Sequence, residues 1–413
     1  MADATSLRAT PSRILVMLLG VVPLLACAGP ADTARPPEHA PPGLVTTPTA
    51  AQGPAGPLTG SQLQDFLGVL VAKRADPAAW QVLLDRRDPE FAARADQLRA
   101  NLAQLEVAIT PTGRTHPLSA ARRELLGSSA TVQAARVDWA VPGFPAATHT
   151  VWFTVTTDTG SPRLAGLTDG PSGAVPLWLL QETRVVVDGS DAVLAADDRD
   201  AGPWLAGLAT ARAELRQHNL DPSSLVVQLP DSPADFERVL GVHADSHRAV
   251  AASTWPFGET AHIVVNPLAT RSLRAEARQV LLTHEAVHVA SGSVQRRGLL
   301  WLSEGYADLV ALSAHPEVRA AHEAHLAADQ RRHGIADALV SDADLDPGNP
   351  RVDAHYQRAW LTVRVLDRNT GTADRIHAAV QSGAALDQAL EDEGWNRGSL
   401  QSEVHAELRR LTG

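Results

Sequence analysis

The chain has 413 residues, a length that predicts two or three domains at about 100–200 residues each. Hydrophobic residues make up 44% and charged residues 20% of it, a balance typical of globular proteins that excludes disordered chains and proteins with many membrane spans. Lysine and arginine number 36 against 47 aspartates and glutamates, a formal net charge of −11 at pH 7. Because this balance offers no basic surface for phosphate backbones, we expect no nucleic-acid partner.

The N-terminus carries an apolar run from Ile14 to Leu25, which follows two arginines and precedes a cluster of small residues. The run is shorter than the roughly 20 residues that a membrane-spanning helix needs. A positively charged N-terminal part, a short apolar core and small residues at the cleavage site are typical of a secretory signal peptide. We place this signal peptide at residues 1–27.

The only cysteine of the chain, Cys27, stands directly after Leu24, Leu25 and Ala26. This segment resembles the lipobox of bacterial lipoproteins. The resemblance implies that Cys27 is lipidated, becomes the mature N-terminus and anchors the protein in the cell membrane, facing outside the cytoplasm. The alternative is an ordinary cleaved signal peptide and a secreted protein.

Residues 28–58 are rich in proline and glycine and lack any sustained apolar period, which predicts a flexible tether. The fold class of the remaining chain is expected to be α+β. We expect it to divide into an accessory domain at 59–199 and a second domain at 200–413, because the pattern of elements changes near residue 200.

The accessory domain begins with helical spacing over residues 61–105, which predicts two or three helices. Alternating patterns then predict the strands of a curved antiparallel sheet, at 132–141, 151–155, 183–187 and 192–194. This order of elements resembles the nuclear-transport-factor-2-like superfamily and implies a pocketed binding or spacer module. We interpret His116 and His149 as surface or loop histidines.

The second domain contains a run at 274–291 with helix-forming composition, followed by Gly292 as a helix end. His284, Glu285 and His288 within it form the pattern H-E-x-x-H. The spacing of four puts both imidazoles on one helix face, where they can bind one ion, while Glu285 lies about 100° around the helix beside the ion's remaining position. The alternative is a helix that carries polar residues on a semi-buried face.

A third ligand is expected downstream, because catalytic zinc commonly keeps three protein ligands and one open position. Glu304 follows His288 by sixteen residues, and Ser303 is a candidate N-cap for a second helix. Asp308 lies on the same helix face as Glu304, one turn further on. Its carboxylate can accept a hydrogen bond from the second ring nitrogen of a ligand histidine.

H-E-x-x-H on one helix and E-x-x-x-D on the next resemble the gluzincin clan of zinc metallopeptidases. The segment LSEGYAD is similar to the peptidase-MA-like domains of bacterial secreted and membrane-anchored proteins. The resemblance implies a mostly helical metallopeptidase domain with a small sheet. It also implies roles for five residues: one Zn²⁺ per chain bound by His284, His288 and Glu304, Glu285 as general base, and Asp308 as partner of a ligand histidine.

The expected function is therefore a membrane-anchored extracytoplasmic zinc peptidase that acts on a peptide or protein substrate. We expect an endopeptidase, because the glycine-x-methionine-glutamate-asparagine signature of the aminopeptidase branch is missing. The alternative is a catalytically inactive lipoprotein that binds zinc or a ligand as a scaffold. We interpret His243, His247, His322 and His325 as solvated surface residues.

The gluzincin resemblance also implies a donor for the substrate oxyanion, and Tyr356 is the candidate, on the inner face of a later helix. The alternative is a core tyrosine packed against Trp360. Tyr306 should point away from the metal. His355 should face outward, with a second oxyanion donor as the alternative. Residues 261–266 are predicted to form the sheet-edge strand that pairs with an extended peptide substrate.

Overall fold

The computed structural model describes residues 56–413, except residues 248–249, 297, 347 and 370 and the side chain of Arg199. The predicted signal peptide, Cys27 and nearly all of the predicted tether lie outside the described residues. Within the described part of the chain, no helix has both the length and the apolar character needed to cross a membrane.

The fold is mixed α+β, as predicted from the sequence. Fourteen α-helices occur among the described residues: α1 (Gly60–Ala72), α2 (Pro77–Gln81), α3 (Pro89–Leu102), α4 (Ala120–Leu126), α5 (Asp198–Arg216), α6 (Pro233–Leu240), α7 (Pro267–Thr270), α8 (Ala275–Ser291), α9 (Leu300–Ser313), α10 (Pro316–His333), α11 (Val352–Leu366), α12 (Thr372–Gln381), α13 (Leu386–Asp392) and α14 (Arg397–Thr412). The strands of the same region are β1 (Glu106–His116), β2 (Thr131–Ala140), β3 (Ala147–Thr156), β4 (Arg163–Gly166), β5 (Arg184–Asp188), β6 (Asp191–Ala195), β7 (Leu225–Gln228), β8 (Ala252–Phe257) and β9 (Thr260–Val265).

The first sheet is antiparallel with the strand order β1-β2-β3-β4, and it follows the three predicted helices α1 to α3. Its central strands β2 and β3 correspond to the first two predicted strands, although β2 ends one residue before the predicted end. Val137 of β2 lies opposite His149 of β3. Both α2 and α3 begin with proline after an aspartate cap, Asp76 and Asp88, whose carboxylates accept backbone N–H bonds. The local cap chemistry thus starts these helices where the sequence pattern places them.

The second sheet has the order β5-β6-β7-β9-β8, with parallel pairing of β6, β7 and β9 and antiparallel pairing at both edges. Strands β5 and β6, which the sequence analysis grouped with the first sheet, belong here, because Asp191 pairs with Leu225. The two sheets therefore separate between Gly166 and Arg184, upstream of the expected change near residue 200.

The edge-strand prediction for residues 261–266 is wrong. The corresponding strand β9 is hydrogen-bonded on both sides, to β7 and β8, and therefore has no free edge. The edge of the sheet is β8, which reaches that position because the chain turns back through Gly258 and pairs Phe257 with Thr260.

Helices α8 and α9 form the scaffold of the predicted site. Helix α8 ends as predicted at Gly292, which has a left-handed φ of 65°. Helix α9 starts four residues earlier than predicted, with Leu299 at its N-cap, so the N-cap assignment of Ser303 is wrong. The Ser303 hydroxyl instead accepts a hydrogen bond from Nε2 of Gln381, 2.8 Å away. Helix α9 packs closely on α11, where a Cβ on Gly305 would lie 2.5 Å from the carbonyl oxygen of Ala359.

Candidate metal centre

His284, His288 and Glu304 meet between α8 and α9, as predicted. The Nε2 atoms of the two histidines are 3.0 Å apart. Oxygens of Glu304 lie 3.3 Å from Nε2 of His284 and 3.6 Å from Nε2 of His288. All three residues are buried, with at most 2% of each exposed. They form a group that could hold a metal ion.

The donor set fits a tetrahedral ion. Ligand atoms about 2.0–2.2 Å from such an ion are roughly 3.3–3.6 Å apart, close to the separations found between these three side chains. Both carboxylate oxygens of Glu304 are buried and have no hydrogen-bond partner among the described residues. A buried carboxylate without donors is costly, and a cation between it and the two imidazoles would remove that cost.

The second ring nitrogen of each histidine is held by a neighbouring side chain. Nδ1 of His284 lies 2.8 Å from Oδ1 of Asp308, as predicted. Nδ1 of His288 lies 2.9 Å from Oγ of Ser293, which the sequence analysis did not identify. These contacts turn both Nε2 atoms toward Glu304 and leave their lone pairs for a metal ion.

Glu285 is fully buried beside this group, and one of its oxygens is held in place. Oγ1 of Thr254, on the edge strand β8, donates a hydrogen bond of 2.6 Å to Oε2 of Glu285. The other oxygen, Oε1, has no hydrogen-bond partner among the described residues. The carboxylate therefore keeps one oxygen able to accept a proton, which is the arrangement that a general base needs.

Burial and neighbouring charges shift the pKa values of the site in opposite directions. Burial raises the pKa of Glu304 to about 7 and also raises the pKa of Glu285. Burial lowers the pKa of His288 well below its usual value. Burial also disfavours the charged form of His284. The carboxylates of Asp308 and Glu304 outweigh this effect of burial, so the pKa of His284 is raised well above its usual value. The group and its neighbours contain three carboxyl groups, those of Glu285, Glu304 and Asp308, beside two imidazoles, a composition that suits a divalent ion.

Tyr356 is buried in α11, the helix that packs on α9, which confirms the predicted inner face, while its role as oxyanion donor stays a prediction. Tyr306 points away from the metal group, as predicted: its hydroxyl donates to Oδ1 of Asp374 at 2.9 Å, and its ring stacks on His377 at 4.1 Å. His355 was predicted to face outward, but it is only 7% exposed and lies 3.2 Å from Nη1 of Arg358. That prediction is wrong because both faces of α11 are largely covered by packed helices.

The surface interpretation is also wrong for several other histidines. His322 is largely buried: its Nε2 is 4.0 Å from Oδ2 of Asp308, and its ring packs edge-on against Trp360. His149 is 4% exposed and stacks on Phe257 between the two sheets. His247 is buried as well.

The sequence carried no local signal for Thr254, Ser293 or His322. Thr254 precedes Glu285 by 31 residues on a strand, and His322 lies on a different helix from the metal-binding motif. Ser293 lies just after the end of α8. It could have been proposed only from the general rule that a metal-binding histidine needs a hydrogen-bond partner at its second ring nitrogen.

A scan against models of known protein families found no match to this chain, and a search of curated proteins found none either. The assignment of a metal-binding group therefore depends on the geometry and burial of the chain's own residues.

Proposed function

We propose that this protein is a zinc-dependent peptidase, anchored outside the cytoplasm through a lipidated Cys27. The observation that carries the peptidase proposal is the pairing of a buried His284, His288 and Glu304 group with a buried Glu285 whose Oε1 has no hydrogen-bond partner in the part of the chain that the structure describes. Two imidazoles and one carboxylate in tetrahedral spacing are typical ligands of catalytic zinc, which keeps its fourth position open. The H-E-x-x-H spacing supports the same assignment.

A bound zinc ion supplies Lewis-acid chemistry, since it lowers the pKa of water toward about 7 and polarises a carbonyl group. Oε1 of Glu285 takes a proton from the attacking water and later gives it to the nitrogen of the leaving amine. Thr254 holds Oε2 throughout, so that the carboxylate does not rotate. The hydroxyl of Tyr356 donates a hydrogen bond to the carbonyl oxygen of the substrate as negative charge develops on that oxygen.

The proposal is tested by measuring zinc per chain and cleavage of a mixed peptide library on the same samples. We expect one zinc per wild-type chain and cleavage that a chelator abolishes. Glu285→Gln should keep zinc and lose cleavage, whereas Glu304→Ala should lose both. Glu403→Gln is the matched control, because Glu403 is half-exposed and pairs with Arg368 at the protein surface. A Glu285→Gln variant with wild-type cleavage would contradict the proposed role of the base.

A second candidate function is a zinc-binding scaffold without turnover. The observation that favours it is the enclosure of the metal group, since Glu285 and the three ligands are all at most 2% exposed. The same experiment separates the two functions. One zinc per chain without cleavage of any library peptide would support the scaffold, and a chain without zinc would exclude both.

A further inference from the structure

A cavity whose lining does not include the His284–Glu304 group lies where the two sheets meet. Its volume is about 600 Å³, within the size range of small-molecule sites. We call it the junction cavity and define it by its lining: Arg114 of β1, residues 148–152 of β3, residues 167–168, 170–176 and 179–180, the C-terminal end of α6 with Arg238, and the end of β8. This cavity plays no part in the proposed peptidase reaction.

The charge of the cavity wall is opposite to that of the protein as a whole. The chain carries a net charge of −11, yet Arg114 and Arg238 line the junction cavity. None of the described residues that line it carries a carboxylate. Arg238 lies 3.4 Å from Asp235 on its own helix, an ion pair that is partly exposed and therefore of modest strength. An anionic ligand would thus meet attractive charge here.

Arg114 is held in position for such a ligand. Its guanidinium lies 5.3 Å from the ring centroid of Trp152, a cation–π contact, and Nη2 is 3.5 Å from Oγ1 of Thr150. Among the described residues, no carboxylate forms an ion pair with it. A guanidinium that is stacked but not paired keeps its planar donors available to a carboxylate or phosphate group.

The apolar part of the wall is rigid, because backbone packs directly on it. A Cβ on Gly170 would lie 2.1 Å from Cγ of Trp152, so only glycine lets the segment 167–180 lie against this ring. Gly241, with a φ of 69°, packs on the backbone nitrogen of Ala174 in the same way. Phe257 is fixed on another wall by its stack with His149. The cavity is therefore preformed and does not need ligand to shape it.

We propose that the junction cavity binds an organic anion in which a carboxylate or phosphate is attached to an aromatic or aliphatic body. The arginines at its rim bind the anionic group, and the ring of Trp152, Phe257 and the neighbouring apolar residues contact the body. This site goes beyond the proposed peptidase function, and its test needs no hydrolysis, so either proposal can fail without the other.

The test uses three probes with the same ring system: 1-naphthaleneacetate, 1-naphthyl phosphate and the neutral 1-naphthaleneacetamide. Calorimetry on the full chain should give saturable binding of one anion per chain, and the amide should bind at least about tenfold more weakly. The comparison of the acetate with the phosphate identifies which anionic group the site prefers.

Arg114→Gln and Arg238→Gln should each weaken binding of the preferred anion by about tenfold, because each removes a charged donor. Both side chains reach solvent, so the variants should fold, which circular dichroism can verify. Arg397→Gln, an exposed arginine of α14 paired with Asp387, is the control and should bind like the wild type. Equal affinity for acid and amide, arginine variants that behave like the control, or no saturation by either anion at about 10 mM would overturn the proposal.

Discussion

At the scale of single residues, the two histidines of the metal group are held in place by neighbouring side chains that contact their Nδ1 atoms. Asp308 and Ser293 do this for His284 and His288 respectively. The two contacts differ in charge, since Asp308 offers a carboxylate and Ser293 a neutral hydroxyl. Loss of either leaves the imidazole free to rotate, which lowers metal affinity without removing a ligand.

We predict that Ser293→Ala weakens zinc binding by about tenfold, because the variant leaves Nδ1 of His288 without its partner. The dissociation constant can be measured by competition with a chelator of known affinity. Ser291→Ala is the matched control, since Ser291 ends the same helix and its hydroxyl has no hydrogen-bond partner among the described residues. Equal zinc affinity in the two variants would show that the Ser293 contact does not orient His288.

A second residue-level prediction concerns Tyr356 in its proposed role. Tyr356→Phe should lower kcat by about a hundredfold or more while zinc content stays at one per chain, because only the oxyanion donor is lost. Tyr306→Phe is the comparison, since the other tyrosine of the chain bonds to Asp374 instead. It should reduce the free energy of unfolding by roughly 1 kcal/mol. Near-normal kcat in Tyr356→Phe would leave this tyrosine as a core residue only.

At the scale of elements, the site depends on how closely α9 approaches α11. Gly305 follows Glu304 directly, and it faces the backbone of Ala359 on α11. A side chain at this position would push the two helices apart and displace Glu304 from the histidines of α8. Gly305 has a helical conformation, so glycine is needed here because it lacks a side chain and not because the backbone adopts a conformation that other residues avoid.

We predict that Gly305→Ala destabilises the protein by about 1–3 kcal/mol, because the added Cβ would overlap backbone that cannot move aside. Gly68→Ala is the control: Gly68 lies inside α1 and has open space around it. There the same change should stabilise by up to about 1 kcal/mol, since alanine favours helix. Chemical denaturation of both variants measures the difference. A stabilising Gly305→Ala would contradict the close packing of α9 on α11.

At the scale of the whole molecule, the two sheets share one apolar core that contains buried histidines. His149 of the first sheet accepts a hydrogen bond from Trp139 and stacks on Phe257 of the second sheet, and His262 packs edge-on against Trp139. Burial lowers the pKa of both histidines to about 3. Each therefore stays neutral in the folded chain at a pH where the unfolded chain would protonate it.

This difference predicts acid sensitivity. A histidine whose pKa falls from about 6.5 in the unfolded chain to about 3 in the folded chain costs stability as the pH drops below 6.5. The loss is up to about 1.4 kcal/mol per pH unit for each such histidine. His149→Gln should therefore reduce the slope of unfolding free energy against pH between about pH 6 and 4. The exposed His243→Gln is the control, and an unchanged slope in His149→Gln would exclude a neutral, buried His149.

The proposed anchor is also a property of the whole chain. Cys27→Ala should release the protein from the membrane into the medium, because without Cys27 no lipid can be attached to the chain to hold it in the membrane. Fractionation of expressing cells into membrane and medium measures this. Protein that stays in the membrane fraction after the substitution would contradict anchoring through Cys27.

The sequence by itself was sufficient for the α+β class, for helix α8 and for the grouping of His284, His288 and Glu304 with Asp308 beside His284. Within each helix the positions of these side chains follow from the backbone period, because residues four apart share a face, whereas the meeting of α8 with α9 was expected from the family resemblance. Only the tertiary structure decided that β5 and β6 join the second sheet, that β8 is its edge and that Ser303 lies inside α9. It also decided the contacts of Thr254 and His322, because these depend on packing between elements distant in the chain, which no local period records.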